Sequence, residues 1–373
     1  MKSRPRSSPA QLTLHADDIH GFRRRLLAWF SKQARQLPWR TTPRDPYAVW
    51  ISEVMLQQTR VATVVPYFNT FMDRFPNVSA LAQADLDDVL SAWSGLGYYR
   101  RARLMHAAAR QMLEAHQTVL PGDYDSLLKL SGIGQYTAAA IASMAFEQRV
   151  AVVDGNVLRV LARMLADSAP IDVASTHKRI RNHADKLVDP DNPGGFNEAM
   201  MELGATVCTP TSPTCLTCPV RKYCRGHARG RVSDLPVVTP KKKSKKMQLE
   251  AFVLTREGLV WMCRRREEGL FGGMWEPPMV QAEERIYGKA LQRVILGRSR
   301  RLKGKLEHVL THRIIQVRVI RWDVEQASEL PMASSYDRGR WMQAGQGTGM
   351  GISSLASRVL DYAGVKGGMV GTT

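Results

Sequence analysis

Between two segments with helical periodicity the chain reads Leu130-Ser131-Gly132-Ile133-Gly134-Gln135-Tyr136-Thr137. Glycines allow a backbone to approach another chain closely, and the helix that follows begins with unpaired N–H groups and a positive dipole end. A helix–hairpin–helix of this kind binds a DNA phosphate without reading the bases. Glycine turns between helices are also common as plain turns, so the hairpin alone leaves both interpretations open.

A second signal lies twenty residues after Gly134, where Val150-Ala151-Val152-Val153-Asp154-Gly155-Asn156 brings Asp154 to the beginning of the next helix. Such an aspartate is a helix N-cap in one interpretation and a functional carboxylate in the other. Asp45-Pro46 predicts another helix start, because proline suits the first helical position. Helical spacing of apolar residues from Ile19 to about Leu203 predicts a mostly α domain. Further helices are predicted over residues 81–93, 101–115, 136–146 and 157–165.

The pattern changes after residue 246. Residues 248–255, 259–264 and 312–324 alternate or run apolar as strands do, and Arg256-Glu257-Gly258 predicts a hairpin turn. A helix is predicted over residues 282–296. The sequence therefore predicts a second, smaller α+β domain.

The composition narrows the class of protein. The chain has 373 residues, enough for about two domains of roughly 150 residues each. Its 53 Lys and Arg against 34 Asp and Glu give a formal charge of +19, which favours a polyanionic partner. No apolar run approaches the roughly 20 residues that span a bilayer, so we expect a soluble, intracellular protein without a membrane partner.

A basic run, Lys241-Lys242-Lys243-Ser244-Lys245-Lys246, follows Pro236 and Pro240. It is a solvated linker in one interpretation and a non-specific phosphate contact in the other. Either interpretation places a domain boundary here. The predicted organisation is a flexible arm over residues 1–18, a helical domain over 19–230, a basic linker over 231–246 and the α+β domain over 247–373.

Four of the five cysteines, Cys208, Cys215, Cys218 and Cys224, lie within 17 residues with the spacing C-x6-C-x2-C-x5-C. In a reducing compartment such a group is more often a metal site than a set of disulfides. Zinc usually takes two well-separated C-x2-4-C pairs, whereas one C-x2-C between two longer loops favours a [4Fe–4S] cluster. Zinc and plain structural thiols remain alternatives. The isolated Cys263 is expected to be a core residue.

The hairpin, the aspartate and the cysteine spacing together resemble the endonuclease III superfamily of DNA glycosylases. Within it, Leu37-Pro38-Trp39-Arg40 and Pro46-Tyr47-Ala48-Val49-Trp50-Ile51-Ser52-Glu53-Val54-Met55-Leu56-Gln57-Gln58-Thr59 resemble the adenine DNA glycosylase (MutY-type) signature. Gly95-Leu96-Gly97-Tyr98-Tyr99 and Phe196-Asn197-Glu198-Ala199 agree with it. The resemblance spans about residues 20–230. A weaker one covers roughly residues 247–360, to that family's C-terminal domain of Nudix-like fold, which recognises 8-oxoguanine.

The resemblance implies a base excision repair enzyme. It would remove adenine mispaired with 8-oxoguanine or guanine from double-stranded DNA by hydrolysis, and it would hold a [4Fe–4S] cluster on the four cysteines. We expect it to act as a monomer and to be cytoplasmic and nucleoid-associated, where its substrate lies.

The same resemblance assigns roles to single residues. A base inside a duplex is unreachable, so it must be extruded, and Gln58 and Tyr98 match the residues that intercalate. Glu53 matches the acid that protonates adenine, with a pKa raised by the apolar helix around it. On periodicity alone Glu53 would instead be a solvated helix residue. Asp154 would stay ionised to stabilise the oxocarbenium-like sugar, or bond to it transiently.

Tyr136 and Asn156 match positions that support this aspartate. The remaining positions that the resemblance assigns to the substrate or to DNA are Trp39, Arg40, Leu56, Thr59, Leu96, Gly132, Gly134 and Glu198.

The chain departs from related patterns in two segments. Bifunctional endonuclease III-type enzymes carry a lysine two residues after the second hairpin glycine, and here that residue is Tyr136. The sequence therefore predicts a glycosylase without efficient strand cleavage. In the C-terminal domain the family reads the lesion with a Phe-Ser-His loop; here Leu310 stands for the Phe and Thr311 for the Ser, and His312 matches the His. Thr311 and His312 are the predicted lesion contacts.

Two other functions compete with this one. A bifunctional glycosylase/lyase acting on oxidised pyrimidines is disfavoured by Tyr136 and by the C-terminal domain. A catalytically silent DNA-binding or redox-sensing iron–sulfur protein would need neither Glu53 nor Asp154.

Overall fold

The computed structural model describes residues 16–115, 118–240, 244–281, 286–343 and 349–365. The chain divides into two compact units, the first made of Met1–Gln57 with Val119–Pro240, and the second of Gln58–Thr118 with Lys241–Thr373. In chain order the described helices and strands are α1 (Ala16–Gln33), α2 (Pro46–Leu56), α3 (Val61–Arg74), α4 (Val78–Gln83), α5 (Leu86–Ala92), α6 (Arg100–Glu114), α7 (Tyr124–Leu127), α8 (Gln135–Phe146), α9 (Gly155–Leu165), α10 (Ala174–Leu187), α11 (Pro193–Thr206), α12 (Arg225–Ala228), β1 (Lys245–Arg256), β2 (Leu259–Arg265), β3 (Trp275–Glu276), β4 (Met279–Gln281), α13 (Ile286–Val294), β5 (Ile295–Arg301), β6 (Leu306–Val309), β7 (Arg313–Ala327), β8 (Tyr336–Gln343) and α14 (Ser354–Tyr362).

The first unit is helical, as predicted, and its two helix starts follow from the sequence. The Asp45 carboxylate accepts a hydrogen bond from the backbone N–H of Tyr47 at 2.9 Å, and Pro46 opens α2. Asp154 caps α9 in the same way, accepting from the Val157 N–H at 2.7 Å. Helix α2 packs against α8, and α11 packs against α1, α8 and α9. These contacts bury α2 over nearly its whole length.

The glycine hairpin lies between α7 and α8. Gly132 has a φ of 76°, in the left-handed region that glycine adopts readily and that residues with a side chain adopt only with strain. The Ile133 N–H donates to the Leu130 carbonyl at 3.1 Å, and both side chains are buried. Gly134 then forms the N-cap of α8 without a side-chain cap, and the first N–H groups of a helix have no carbonyl partner within that helix.

The second unit begins with helices α3 to α6, and here one prediction was wrong. The single helix predicted over residues 81–93 is two short helices, α4 and α5. Ala84 and Asp85 between them have extended backbones, with ψ of 150° and 141°. Asp85, followed by Asp87 and Asp88, favours a new helix start because acidic side chains are stabilised near a helix N-terminus.

The rest of the second unit is a mixed sheet with the strand order β3-β2-β1-β7-β5, as the predicted α+β class requires. Strands β1 and β7 run parallel, from the pair Lys245 and Arg313 to the pair Thr255 and Asp323, and the other pairs are antiparallel. Helix α14 covers one face of the sheet and α13 covers the other. The hairpin between β1 and β2 turns at Glu257 and Gly258, both with positive φ, as expected for a two-residue turn.

The sheet also packs against the helices of its own unit. The Ser94 hydroxyl donates to the Ile352 carbonyl at 2.6 Å, and the Trp275 indole N–H lies 3.4 Å from the Asp87 carboxylate. Gly351 lies against Leu90, where an added Cβ would come within 2.7 Å of the leucine Cβ. Residues 58–118 therefore pack with the C-terminal sheet in the second unit.

Two predicted boundaries differ from the structure. Helix α1 begins at Ala16, inside the predicted arm, and residues 1–15 lie outside the described residues. The helix predicted over residues 282–296 ends at Val294, where β5 takes over, and residues 282–285 are not described.

The predicted linker over residues 231–246 is shorter than expected. The Arg163 guanidinium donates to the Leu235 carbonyl at 2.8 Å, and the Ile171 N–H donates to the Val237 carbonyl at 2.9 Å. Residues up to 240 therefore pack on the first unit, and β1 begins at Lys245. Lys241, Lys242 and Lys243 lie outside the described residues. None of the helices in the described ranges is long and apolar enough to cross a membrane.

Candidate active site

A buried acid lies at the centre of the first unit. Glu53 on α2 is only 5% exposed, and the Tyr136 hydroxyl on α8 donates a hydrogen bond to Glu53 Oε2. Burial raises the pKa of Glu53 to about 7; the hydrogen bond from Tyr136 opposes this rise, and repulsion from Asp154 and Glu198 adds to it. Glu53 is therefore not the solvated helix residue that periodicity alone suggested, because α2 is buried on all sides.

A second carboxyl group lies at the N-terminus of α9. Asp154 Oδ1 accepts from the Val157 N–H, and Asp154 Oδ2 accepts from Asn156 Nδ2 at 2.8 Å. Burial raises the pKa of Asp154, while these hydrogen bonds and the charge of Arg159 lower it. The N-cap and the functional interpretation of Asp154 are thus compatible, since one oxygen caps the helix and the other binds Asn156.

The charges of Glu53 and Asp154 both affect the pKa of the Tyr136 hydroxyl. Burial, followed by the charges of Glu53 and Asp154, raises the pKa of Tyr136 well above its ordinary value, so the hydroxyl is a hydrogen-bond donor at neutral pH. The Tyr136 oxygen also lies 3.7 Å from the Met201 sulfur. Helices α2, α8 and α9 each contribute one of these polar groups. A carboxyl group that titrates near pH 7 beside one stabilised by hydrogen bonds can divide acid and anion roles.

Beside this pair lies an ion-pair network on α11. Arg40 donates from Nε to Glu198 Oε1 at 2.9 Å and from Nη2 to Glu202 Oε2 at 3.0 Å. Arg44 donates to the other oxygen of Glu198. Arg35 binds both oxygens of Glu202 at 2.6 and 3.0 Å. Burial disfavours the charge of Glu202, but Arg35 and Arg40 together lower its pKa.

Sequence reasoning identified Arg40 and Glu198 in this network but missed Arg35, Arg44 and Glu202. A signal was available: Glu198 and Glu202 are four residues apart on a helix, and three arginines lie between residues 35 and 44. Trp39, between Arg35 and Arg40, is buried, and Leu56 is half-buried at the end of α2.

The four cysteines line one cavity of about 30 Å³ in the first unit. The Arg163 guanidinium lies 3.4 Å from the Cys208 sulfur, and the His227 backbone N–H donates to the Cys224 sulfur at 3.4 Å. Burial raises the pKa of Cys218 to about 11 and also raises that of Cys224. Among the described residues, no three His, Cys, Asp or Glu side chains are grouped as ligands of one metal ion.

A chain of hydrogen bonds connects the cysteine segment with Asp154. Arg159 on α9 donates from Nε to the Cys208 carbonyl and from Nη2 to Asn156 Oδ1, both at 2.8 Å. Asn156 in turn donates to Asp154. Gly204 allows this approach, since an added Cβ would lie 2.6 Å from the Asn156 Cβ. The sequence offered no local signal for Arg159, which has the spacing of an ordinary helix residue.

The remaining predicted site residues belong to the second unit. Gln58 is exposed with a φ of 59°, and Tyr98 is 45% exposed with a φ of 49°. Thr311 and His312 form the two-residue turn between β6 and β7, where the Leu310 N–H donates to the Arg313 carbonyl at 2.8 Å.

Two of these residues meet, and one is not at the surface. The Tyr98 hydroxyl lies 2.6 Å from the Thr311 hydroxyl, so the structure joins the predicted intercalating loop to the predicted lesion-reading turn. Leu96, which the sequence predicts to contact the substrate or DNA, has a buried side chain. The expected core residue, Cys263, is fully buried in β2.

Comparison with known proteins gives two domain matches. Residues 51–190 match the model of the HhH-GPD superfamily of base excision DNA repair proteins, and residues 250–362 match the model of the NUDIX domain. The adenine DNA glycosylase of Rattus norvegicus is 35% identical over 94% of this chain and 80% of its own length. That of Buchnera aphidicola subsp. Acyrthosiphon pisum is 33% identical over 70% of this chain and 75% of its own length.

Solved structures agree on the fold of the helical part. A thermostable thymine-DNA glycosylase is similar with a TM-score of 0.52 and 26% identity, over 57% of this chain and 98% of its own. A non-covalent complex of endonuclease III with DNA gives a TM-score of 0.50 at 22% identity, over 58% of this chain and 99% of its own. The predicted helix–hairpin–helix and Nudix-like domains are both confirmed.

Proposed function

This chain belongs to the adenine DNA glycosylase family of base excision repair enzymes, and from that premise we propose that the adenine it removes lies opposite 8-oxoguanine or guanine. The enzyme is a DNA N-glycosylase, and its substrate is double-stranded DNA. The proposal extends to a monomeric enzyme that works at the nucleoid, where that substrate is found. What supports the chemistry is the buried arrangement of Glu53, Tyr136 and Asp154.

In the proposed reaction Glu53 is the proton donor. Adenine is a poor leaving group as an anion, so the Glu53 carboxyl gives its proton to a ring nitrogen while the glycosidic electron pair moves onto the base. The pKa of about 7 keeps much of this carboxyl protonated near neutrality. Protonated adenine leaves as the neutral base, and the sugar becomes an oxocarbenium-like cation.

Asp154 is proposed to stabilise that cation as an anion. Its two oxygens are held by the Val157 N–H and by Asn156, which fix the carboxylate in place before the reaction. Water then adds to the sugar carbon and loses a proton to a carboxylate, which leaves an abasic site and restores the enzyme.

Strand cleavage is not expected, because Tyr136 stands where a lyase would need a primary amine. A phenol whose pKa is raised well above its ordinary value is a poor nucleophile and cannot form a Schiff base. The test is a duplex with one A:8-oxoguanine pair. The proposal requires adenine release with strand breaks only after alkali; breaks without alkali would support the bifunctional alternative, and no base release would support the silent DNA-binding one.

Replacing Tyr136 by Phe is expected to shift the pH dependence of adenine release. The Tyr136 hydroxyl stabilises the ionised form of Glu53, so its removal raises the Glu53 pKa further and moves the alkaline loss of activity to higher pH. Single-turnover rates between pH 6 and 9 measure this, with Tyr124→Phe on α7 as a control at a distant tyrosine. A midpoint that stays the same or falls would contradict the contact as we describe it.

The four cysteines are proposed to hold a [4Fe–4S] cluster. The four cysteines line one cavity of the first unit, and one C-x2-C between two longer loops is a spacing that suits a [4Fe–4S] cluster better than zinc. N–H groups of Arg163 and His227 lie against two sulfurs and would tune such a cluster. When bound, the cluster would supply a rigid cross-link and an electron-transfer centre.

Metal analysis of the purified enzyme tests this assignment. We expect about four irons and four inorganic sulfides per chain, with the visible absorption of an iron–sulfur protein. Colourless protein with one zinc per chain would contradict the proposal. Cys263→Ser is the matched control, because this buried thiol lies in the other unit and should leave the iron content unchanged.

Thr311 and His312 are proposed to read the 8-oxoguanine opposite the adenine. Deletion of residues 247–373 is a poor test, because the sheet packs on helices of its own unit through Ser94 and Trp275. Point variants avoid this difficulty. Thr311→Val is expected to reduce the preference for A:8-oxoguanine over A:G by about tenfold, the value of one hydrogen bond.

Thr311→Ser keeps the hydroxyl and should keep the preference, which controls for changes in the turn. Relative kcat/KM on the two mispairs is the measurement. Equal discrimination by Thr311→Val and the wild-type enzyme would refute this role while leaving adenine removal untouched.

A further inference from the structure

We infer that Arg101 is a positioning residue that clamps two surface loops, the Gln58-Thr59 loop and the Gly97-Tyr98 loop, in the conformation that opens the duplex. The inference rests on the proposed function, because it assigns the two loops the work of base extrusion. It adds a residue that neither motif nor resemblance identified.

Both loops carry a strained residue at their exposed end. Gln58 and Tyr98 have φ values of 59° and 49°, in the left-handed region that residues other than glycine seldom adopt. Such conformations persist only when the surrounding structure holds them, and they cluster at functional sites. Gln58 is exposed and Tyr98 is 45% exposed, so neither conformation is fixed by burial of its own side chain.

Arg101 contacts both loops with one planar group. Its Nη2 lies 3.3 Å from the Thr59 hydroxyl oxygen and 3.1 Å from the Gly97 carbonyl oxygen. The guanidinium carbon lies 5.4 Å from the centre of the Tyr98 ring and 5.3 Å from that of Trp93. The cation thus bonds the neighbour of Gln58, bonds the neighbour of Tyr98 and stacks on Tyr98 itself.

The clamp is anchored on rigid structure. Arg101 is the second residue of α6, and Trp93 is fully buried beneath it. Burial lowers the pKa of Arg101 to about 10, which still leaves it charged at neutral pH. A lysine ammonium could donate to both acceptors, but it has no planar group to stack on the Tyr98 and Trp93 rings, so Arg101→Lys loses the stacking part of the clamp.

Arg101 belongs to the second unit, whereas Glu53 and Asp154 both belong to the first. Loss of the clamp should therefore reduce base extrusion and leave the proton-transfer step unchanged. This separates a positioning role from a catalytic one.

The experiment compares Arg101→Lys with Arg103→Lys. Arg103 lies on the same helix, is partly buried and donates to the Gly272 carbonyl. Its replacement therefore controls for any general effect of changing an arginine of α6 to lysine. The readouts are single-turnover adenine release from an A:8-oxoguanine duplex, extrusion followed by the fluorescence of 2-aminopurine at the adenine position, and the pH midpoint of the rate. Thr59→Val removes one of the two clamp bonds and provides a variant that folds if Arg101→Lys does not.

Arg101→Lys is expected to lose about tenfold in both extrusion and adenine release, with an unchanged pH midpoint. A loss of this size corresponds to the free energy that holds one residue in a strained backbone conformation. Thr59→Val should show a smaller loss of the same kind, and Arg103→Lys close to none. Adenine in a one-nucleotide bulge, already unpaired, should restore most of the Arg101→Lys rate.

Wild-type extrusion in Arg101→Lys and Thr59→Val, or an equal loss in Arg103→Lys, would overturn the inference. A wild-type enzyme that releases no adenine from the A:8-oxoguanine duplex would instead refute the proposed function, so the two failures are distinguishable.

Discussion

Glu53→Gln is expected to lower the single-turnover rate of adenine release by about 10³-fold, the contribution of a well-placed general acid. Glutamine keeps the size of the side chain and can still accept the hydrogen bond from Tyr136. It cannot supply a proton to the leaving base. Because a neutral amide is at least as easy to bury as a carboxyl group, the variant should fold and bind the mispair.

The pH dependence of adenine release is a second, independent test of Glu53 as the acid. Burial raises the pKa of Glu53 to about 7, so the active, protonated form dominates below that pH and is lost as pH rises through it. The wild-type rate should therefore fall on the alkaline side of pH 7, and the residual rate of Glu53→Gln should lack this fall. The exposed Glu114→Gln is the matched control and should behave as wild type. A Glu53→Gln enzyme within tenfold of wild type would refute the assigned acid.

Features of the site that depend on neighbouring residues could be predicted from the sequence, whereas contacts between segments far apart in the sequence could not. Local signals found the helix starts at Asp45 and Asp154 and the glycine hairpin, because a cap or a turn is decided by a few neighbouring residues. The burial of Glu53 was not predictable from the pattern of α2, since it depends on which helices cover that side chain. The role of Glu53 as the acid came from the resemblance to the glycosylase family, and the periodicity of α2 did not indicate it.

Contacts across long sequence separations were missed for the same reason. Arg35 meets Glu202 across 167 residues, and Arg159 meets the carbonyl of Cys208 across 49. Neither pair has a spacing that a helix or strand would bring together. The packing of Leu90 against Gly351 was missed too, because the sequence pattern of an apolar side chain is the same whether another helix or the C-terminal sheet covers it.

The second large effect is expected for Asp154→Asn, which separates the charge of this residue from its structural role. Asparagine is as good an N-cap as aspartate, so the bond from the Val157 N–H should survive and α9 should remain intact. The anion facing the sugar is lost, which should reduce adenine release by about 10³-fold, the scale of one preorganised electrostatic group. Asp154→Ala removes the cap as well and should cost about 1 kcal/mol of stability in addition.

Thermal unfolding and single-turnover rates measured on both variants distinguish the two roles. The charge of Asp154 also raises the pKa of Glu53, so Asp154→Asn should lower that pKa. The residual activity of this variant should therefore fall at a lower pH than the activity of the wild type does, which is opposite to the shift expected for Tyr136→Phe. If Asp154→Asn keeps near wild-type activity, the aspartate is only a helix cap. If its activity falls but the midpoint stays, the two carboxyl groups do not sense each other, and a shared site for one nucleoside would be refuted.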